Sequence, residues 1–343
     1  MKKKRKTKLK FKRILVLFII ICLIICLILF LPNLKKDKQI VSKLETIGYN
    51  KKELNIINKL SKEELNIIEK NKYNKNLVDI ISSKSYKKDN LKLYLEYIKD
   101  NINDDIISFI NQKYYINEFL DRYVNYKEKN KNLDYEEIVK RVNSNLDYKF
   151  YDDSKAADTS KGMYTLVNKY FYLDKNYIPD DLVDVESKYA RDSAKINKTA
   201  YENFKKMADA AKEEGLTLLI TTAYRNYNFQ ATLYNNYVRQ DGKEQADTYS
   251  ARPGYSEHQL GYSADLTNKE RVNFGEFKNA KEFAWLKDNA YKYGFIIRYT
   301  EANQYITGYV PESWHYRYVG NDIAKYIYEN NITYEEYYAY FLR

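Results

Sequence analysis

The sequence predicts an α+β fold: helices packed on a small, mostly antiparallel sheet, preceded by a membrane anchor and an all-helical region. Three observations carry that prediction. Residues 14–31, ILVLFIIICLIICLILFL, hold no charged and no strongly polar side chain. Residues 33–155 repeat apolar positions at spacings of three and four, the helical period. From residue 156 onward such stretches alternate with short runs rich in β-branched and aromatic residues, the mixed order of an α+β domain.

The first element is a tail. Residues 1–13 contain nine Lys or Arg and no acid, so of the formal net charge of +11 only +2 falls on the remaining 330 residues. Charge confined to one short tail is not the basic face of a nucleic-acid-binding domain. The tail abuts the apolar run, which as a helix would span roughly 27 Å, close to the hydrocarbon thickness of a bilayer. A core helix would be apolar along one stripe rather than all round. A cleavable signal peptide is the alternative. Its apolar part is normally shorter and ends in small residues, and Leu31-Pro32-Asn33-Leu34 offers no such end. Residues 14–32 therefore read as a transmembrane signal-anchor in the cell membrane, single-pass. The tail (1–13) is then cytoplasmic and the bulk of the chain extracytoplasmic. Both cysteines, Cys22 and Cys26, fall in the span. The exported part has no thiol, so chemistry there must rest on a metal, a serine or carboxylates.

Residues 33–155 read as a helical stalk or small helical domain. KKELNIINKL (51–60) and KEELNIIEKN (62–71) share a pattern offset by 11 residues, with Leu54 matching Leu65 and Ile56 matching Ile67. Ser61 with Glu64 fits a capping box at the start of the second copy. Two copies do not make a solenoid, and no residue argues specifically for a wall- or partner-binding module. The polar stretch 149–163, KFYDDSKAADTSKGM, reads as a linker. The domain over 156–343 is expected to hold helices at 198–215, 228–242, 279–294, 321–331 and 333–343. Strands are expected at 216–224, 261–267, 295–300, 305–310 and 315–320.

The chain has two histidines, His258 in SEHQLGYSAD and His315 in PESWHYRYVG. Each stands near an acid, His258 seven residues before Asp265 and His315 three after Glu312. A catalytic zinc takes three nitrogen or oxygen ligands and leaves a fourth position for water. His258, Asp265 and His315 would fill that need, leaving Glu312 to take a proton from the water. The plainer alternative, two structural or surface histidines, is weakened by their setting among Gly, Pro, Trp and Tyr.

SEHQLGYSADL resembles the Ser-x-His-x-x-Gly-x-x-x-Asp signature of VanY-type zinc D-alanyl-D-alanine carboxypeptidases, and ESWHYRYVG resembles their Glu-x-Trp-His segment. TTAYRNYNFQATLY (221–234) is similar to their Tyr-Arg-…-Gln segment, and the resemblance runs in order over about 165–343. It implies a zinc DD-peptidase-like fold, with His258, Asp265 and His315 as ligands of a Zn2+ cofactor and Glu312 as catalytic base. Arg225 is implied to face the substrate and the developing oxyanion. Gln230 and Ser256 match positions near the C-terminal end of the bound peptide, and Trp314 would wall the pocket or simply pack. The implied substrates are peptidoglycan stem peptides. No protein partner can be inferred. Ser313, Thr222, Ala223 and Asn226 depart from the commoner Pro, Ser, Gly and Ser of the family. None of these removes a ligand, the base or the arginine. Removal of the terminal D-Ala is the expected reaction. An L,D-carboxypeptidase, a D,D-dipeptidase, a non-catalytic wall-peptide-binding protein and a structural wall anchor remain as alternatives.

Overall fold

The computed structural model describes residues 39–343 except 85 and 99–103. The apolar run at 14–31 and its basic tail lie outside the described residues. Among the described residues no helix is long and apolar enough to cross a membrane. The chain divides into two compact units between Leu120 and Asp121, and residues 121–155 belong with the second.

Among the described residues the first unit holds helices and no strand. The 11-residue repeat becomes two successive helices, Lys51–Ile57 and Lys62–Ile68, each opened by a capping box. Ser61 Oγ accepts from the Glu64 N–H at 3.4 Å and the Glu64 carboxylate accepts from the Ser61 N–H at 2.8 Å. Two otherwise unsatisfied helix-end donors are thereby paired. The matched leucines Leu54 and Leu65 are buried, together with Ile57 and Ile68, in one apolar cluster that also takes in Leu77, Leu91 and Tyr94.

The second unit is α+β. Its main sheet has four strands, β5 (Leu219–Thr222), β6 (Ser263–Thr267), β7 (Phe295–Ile297) and β8 (His315–Tyr318), in the order β5-β6-β8-β7 and wholly antiparallel. Two two-stranded ladders accompany it: β1 (Lys155–Ala156) with β2 (Phe171–Tyr172), and β3 (Leu182–Asp184) with β4 (Lys195–Asn197). Successive strand residues point to opposite faces. Ala264, Leu266, Phe295, Tyr316 and Tyr318 therefore share one face, buried against Phe204, Met207 and Ala211 of helix Lys198–Glu213 and against Leu286 of helix Lys281–Asn289. The opposite face of β6 and β8 carries Ser263, Asp265, His315 and Arg317, all buried. A sheet with one apolar and one polar buried face needs the polar one fully paired, and that face holds the site.

Two expected elements differ. The stretch 149–163, linker-like in composition, is ordered instead: β1 pairs parallel with β2 and residues Thr159–Tyr164 form 3-10 turns. Its polar side chains find partners, Ser154 Oγ lying 2.7 Å from the Tyr255 hydroxyl. The run YITGYV (305–310) is not a strand. Residues Gln304–Thr307 form a helical turn that Gly308 ends in the left-handed region, φ +73°. The Gly308 N–H donates to Gln304 O at 2.8 Å and its carbonyl accepts from Lys169 Nζ at 2.7 Å. A Cβ at this glycine would lie 2.7 Å from the Phe150 ring and 2.9 Å from Lys169 Nζ. Gly308→Ala is therefore expected to cost about 1–3 kcal/mol, from positive φ and crowding together. The measurement is the denaturant midpoint followed by tryptophan fluorescence, since both tryptophans, Trp285 and Trp314, lie in this unit. An unchanged midpoint would contradict the packing described.

Candidate active site

Cross-strand register builds the centre of the site. Asp265 on β6 lies directly opposite His315 on β8, and such pairs face the same side with Cβ atoms about 5 Å apart. His258 arrives from the helical turn Glu257–Leu260, which Gly261 ends in the left-handed conformation at φ +85° so that the chain can enter β6. On the other side of β6, the β5 register slips between Ile220 and Thr222, leaving Thr221 as an extra residue. Such a bulge re-aims the strand end beside a site. It carries the chain on to Ala223, whose carbonyl receives His258 Nδ1 at 2.5 Å, and to Arg225, whose N–H donates to His258 O at 3.3 Å.

The three donor groups of His258, Asp265 and His315 are buried and lie within 4.8 Å of one another. Asp265 Oδ1 is 3.3 Å from His258 Nε2 and 2.9 Å from His315 Nδ1. Ligands about 2.1 Å from a common tetrahedral ion would stand roughly 3.4 Å apart, so this spacing suits a zinc-type ion. The His258 tautomer suits it too. His258 spends its Nδ1–H on Ala223 O, which leaves Nε2 as a lone pair facing the cluster. Burial and the neighbouring Arg225 push the His258 pKa down to about 4. His315 goes the other way. Burial opposes its charge, but hydrogen bonds to Asp265 and Glu257 prevail and push it up to about 9. Burial likewise opposes ionisation of Asp265, and the two imidazoles outweigh it, holding that carboxyl well below the ordinary range.

Arg225, Gln230, Ser256, Glu312 and Trp314 line the same pocket of about 280 Å³ as the three donors, with Glu257, Phe274, Tyr299 and Tyr309. All eight residues singled out from the sequence are thus brought together. Glu312 is buried, and desolvation first, with the Asp265 charge, pushes its carboxyl up to about 8 despite the opposing pull of His315 and Arg225. Arg225 Nη1 is 3.5 Å from Asp265 Oδ2, while its Nε is buried without a partner. Gln230 donates to Ala251 O at 2.8 Å and keeps a buried, unpaired Oε1. Ser256 Oγ accepts from the His258 N–H at 3.4 Å as the cap of the one-turn helix, a local structural task. Trp314 stacks on Phe274 with ring centroids 5.2 Å apart.

Sequence reasoning missed the residues behind the donors. Glu257 stands inside the quoted motif, where the histidine beside it is the more conspicuous residue. Arg298 sits in FIIRYT and Arg317 in HYRYVG, each a lone cation in an apolar strand pattern. That was the available signal, because a buried charge must be paired. Tyr299, buried, stacks on His315 at 5.2 Å between centroids, and nothing in its surroundings in sequence distinguishes it from the other 37 tyrosines.

Comparison with known proteins fits this arrangement. Residues 193–321 match the VanY family model, described as D-alanyl-D-alanine carboxypeptidase. The Bacillus subtilis (strain 168) protein YodJ, whose name assigns it provisionally to the carboxypeptidases, is 40% identical over 205 residues, covering 56% of this chain and 75% of its own. The D-alanyl-D-alanine carboxypeptidase of Enterococcus faecalis (strain ATCC 700802 / V583) is 32% identical over 163 residues, 45% of this chain and 59% of its own. Among solved structures, that of the LdcB LD-carboxypeptidase superposes with a TM-score of 0.52 at 37% identity, covering 56% of this chain and 92% of that one. A pocket whose donors follow the family signature, on a chain covering three quarters of such a relative, places this protein in the VanY family of D-alanyl-D-alanine carboxypeptidases.

Proposed function

We propose that this protein is a zinc-dependent D,D-carboxypeptidase that hydrolyses the terminal D-Ala of peptidoglycan stem peptides. Its N-terminal segment holds it in the cell membrane, and its peptidase domain, residues 156–343, works outside the cytoplasm. Of residues 33–155, those up to Leu120 serve in sequence as a helical spacer, while 121–155 belong with the compact unit that holds the peptidase domain. The observation that carries the reading is the convergence of His258, Asp265 and His315 with the Glu312 carboxyl and the Arg225 guanidinium on one pocket.

His258 through Nε2, Asp265 through Oδ1 and His315 through Nδ1 would hold the zinc. When bound, such an ion polarises a carbonyl and lets water ionise near neutral pH. Glu312 takes the proton of the attacking water on its carboxylate and returns it to the departing amine. Its desolvated setting makes it a ready proton carrier, since the neutral form is not penalised there. Arg225, with an unspent Nε–H, donates to the substrate's terminal carboxylate or to charge developing on the carbonyl oxygen. Gln230 Oε1 accepts from the substrate near its C-terminal end. Trp314 on Phe274, with Tyr299, walls the pocket against water.

A second reading, an L,D-carboxypeptidase trimming tetrapeptides, is favoured by the likeness to the LdcB structure. A metal centre does not read stereochemistry, so pocket walls would decide. A D,D-dipeptidase on the same stem peptides is a further variant. A purely peptide-binding role leaves the Glu312 carboxyl without a task. The test is mass spectrometry of stem pentapeptide and tetrapeptide incubated with the full chain, with and without a chelator. Loss of one D-Ala from the pentapeptide, abolished by chelator and restored by added zinc, is expected. Cutting of tetrapeptide alone would move the assignment to the L,D reading. Activity indifferent to chelation would remove the zinc.

A further inference from the structure

We propose that Glu257, clamped by Arg298 and through it by Glu335, is a positioning residue that fixes which ring nitrogen His315 presents to the metal. The inference rests on the metal-centre reading above. An imidazole can ligate through either nitrogen, and the choice is set by where the other nitrogen's N–H goes. For His258 the Ala223 carbonyl decides. For His315 the Nε2 side faces Glu257 Oε2 at 3.5 Å, leaving Nδ1 toward Asp265.

A carboxylate can hold an imidazole in place only if it is itself held. Glu257 Oε1 lies 2.9 Å from Arg298 Nε and 3.5 Å from Arg317 Nη1. The other edge of Arg298 grips Glu335 in a two-pronged pair at 2.9 and 2.6 Å, and Glu335 also accepts from Asn168 Nδ2 at 3.1 Å. Every member of the chain is buried, so no water competes for these orientations. Glu335 and Asn168 lie outside residues 193–321. The wiring that ends on the metal ligand thus begins in segments flanking the family-matched stretch on both sides.

The chain's two histidines make a direct test feasible. The full chain, solubilised in detergent and loaded with zinc, would be studied by imidazole 15N spectroscopy, with zinc affinity measured by competition with a chromophoric chelator. The wild type should show one ring ligated through Nε2 and one through Nδ1, the latter with an exchange-protected Nε2–H. In Glu257→Gln the amide cannot present oxygen to both His315 and Arg298. Zinc affinity should fall about 10–100-fold and the protected signal should be lost. Arg298→Lys, a point charge that can satisfy one carboxylate but not both, should lower affinity about tenfold and serves if Glu257→Gln fails to fold. Asp147→Asn, which breaks the Arg122 ion pair away from the pocket, should lower the unfolding midpoint and leave zinc affinity unchanged. Wild-type affinity and unchanged ring signals in Glu257→Gln would overturn the proposal while the metal centre stood. A wild type that binds no zinc would overturn both.

Discussion

Glu312→Gln is expected to lower kcat for release of the terminal residue by about 10³-fold, the middle of the range for loss of a general acid–base group. Zinc affinity should stay within about threefold of wild type. The substitution keeps the shape of a buried side chain and removes only the ability to take and return a proton. Glu312 is outside the donor cluster of His258, Asp265 and His315, so metal retention and loss of turnover should separate. The carboxyl sits where burial pushes its pKa up to about 8. A bound cation would pull that value back down, which suits a group that has to accept a proton and then release it. Steady-state turnover of a synthetic pentapeptide, read by mass spectrometry beside a zinc titration, decides the matter. A variant with wild-type kcat would sink the assignment of Glu312 as base. A variant that lost its zinc would show Glu312 to be a ligand instead.

The centre of this site was legible in the sequence because its residues are chemically conspicuous. Two histidines in 343 residues, each near an acid and neither in a core-like run, left few alternatives. The helical repeat was legible for a similar reason: Leu54 and Leu65 keep a local period that burial then enforces, and Ile56 and Ile67 pack partly buried against the same cluster. What was not legible depends on pairs distant in sequence. Arg298 meets Glu257 and Glu335 across 41 and 37 residues along the chain, and no spacing rule selects these three from the 105 charged residues present. YITGYV reads as a strand by composition, and a single left-handed glycine, gripped by Lys169, makes it a helical turn and a loop. The segment 149–163 is polar enough for a linker. Its order comes from pairing with residues 170–172 and Tyr255, which composition does not record.

Removing Arg298 alone should cost the C-terminal unit about 3–5 kcal/mol, the usual consequence of leaving buried charge uncompensated. The Arg298 side chain is fully enclosed and lies between two carboxylates, its Nε at 2.9 Å from Glu257 and its fork on Glu335 at 2.6 Å. In Arg298→Met, Glu257 loses its short cation contact and keeps only the 3.5 Å contacts to Arg317, His315 and Ser263, and Glu335 keeps only the neutral Asn168 amide. The triple variant Arg298→Met, Glu257→Gln, Glu335→Gln removes the charges together. It should recover most of the loss, because a buried ion set is worth little net against neutral groups of similar volume. Recovery of stability should not bring back tight zinc binding, since His315 would still face an amide that no longer has a fixed orientation. Denaturant unfolding followed by the fluorescence of Trp285 and Trp314 reads the first quantity, and the zinc competition reads the second. If Arg298→Met costs less than about 1 kcal/mol, water reaches this network in the working protein and the buried ion chain is not what holds the unit together. If the triple variant restores stability and zinc affinity alike, the ion chain is scaffold alone. The separation of the two readouts is expected because fold stability depends on net charge balance in the interior, while the metal site depends on the orientation of one ring.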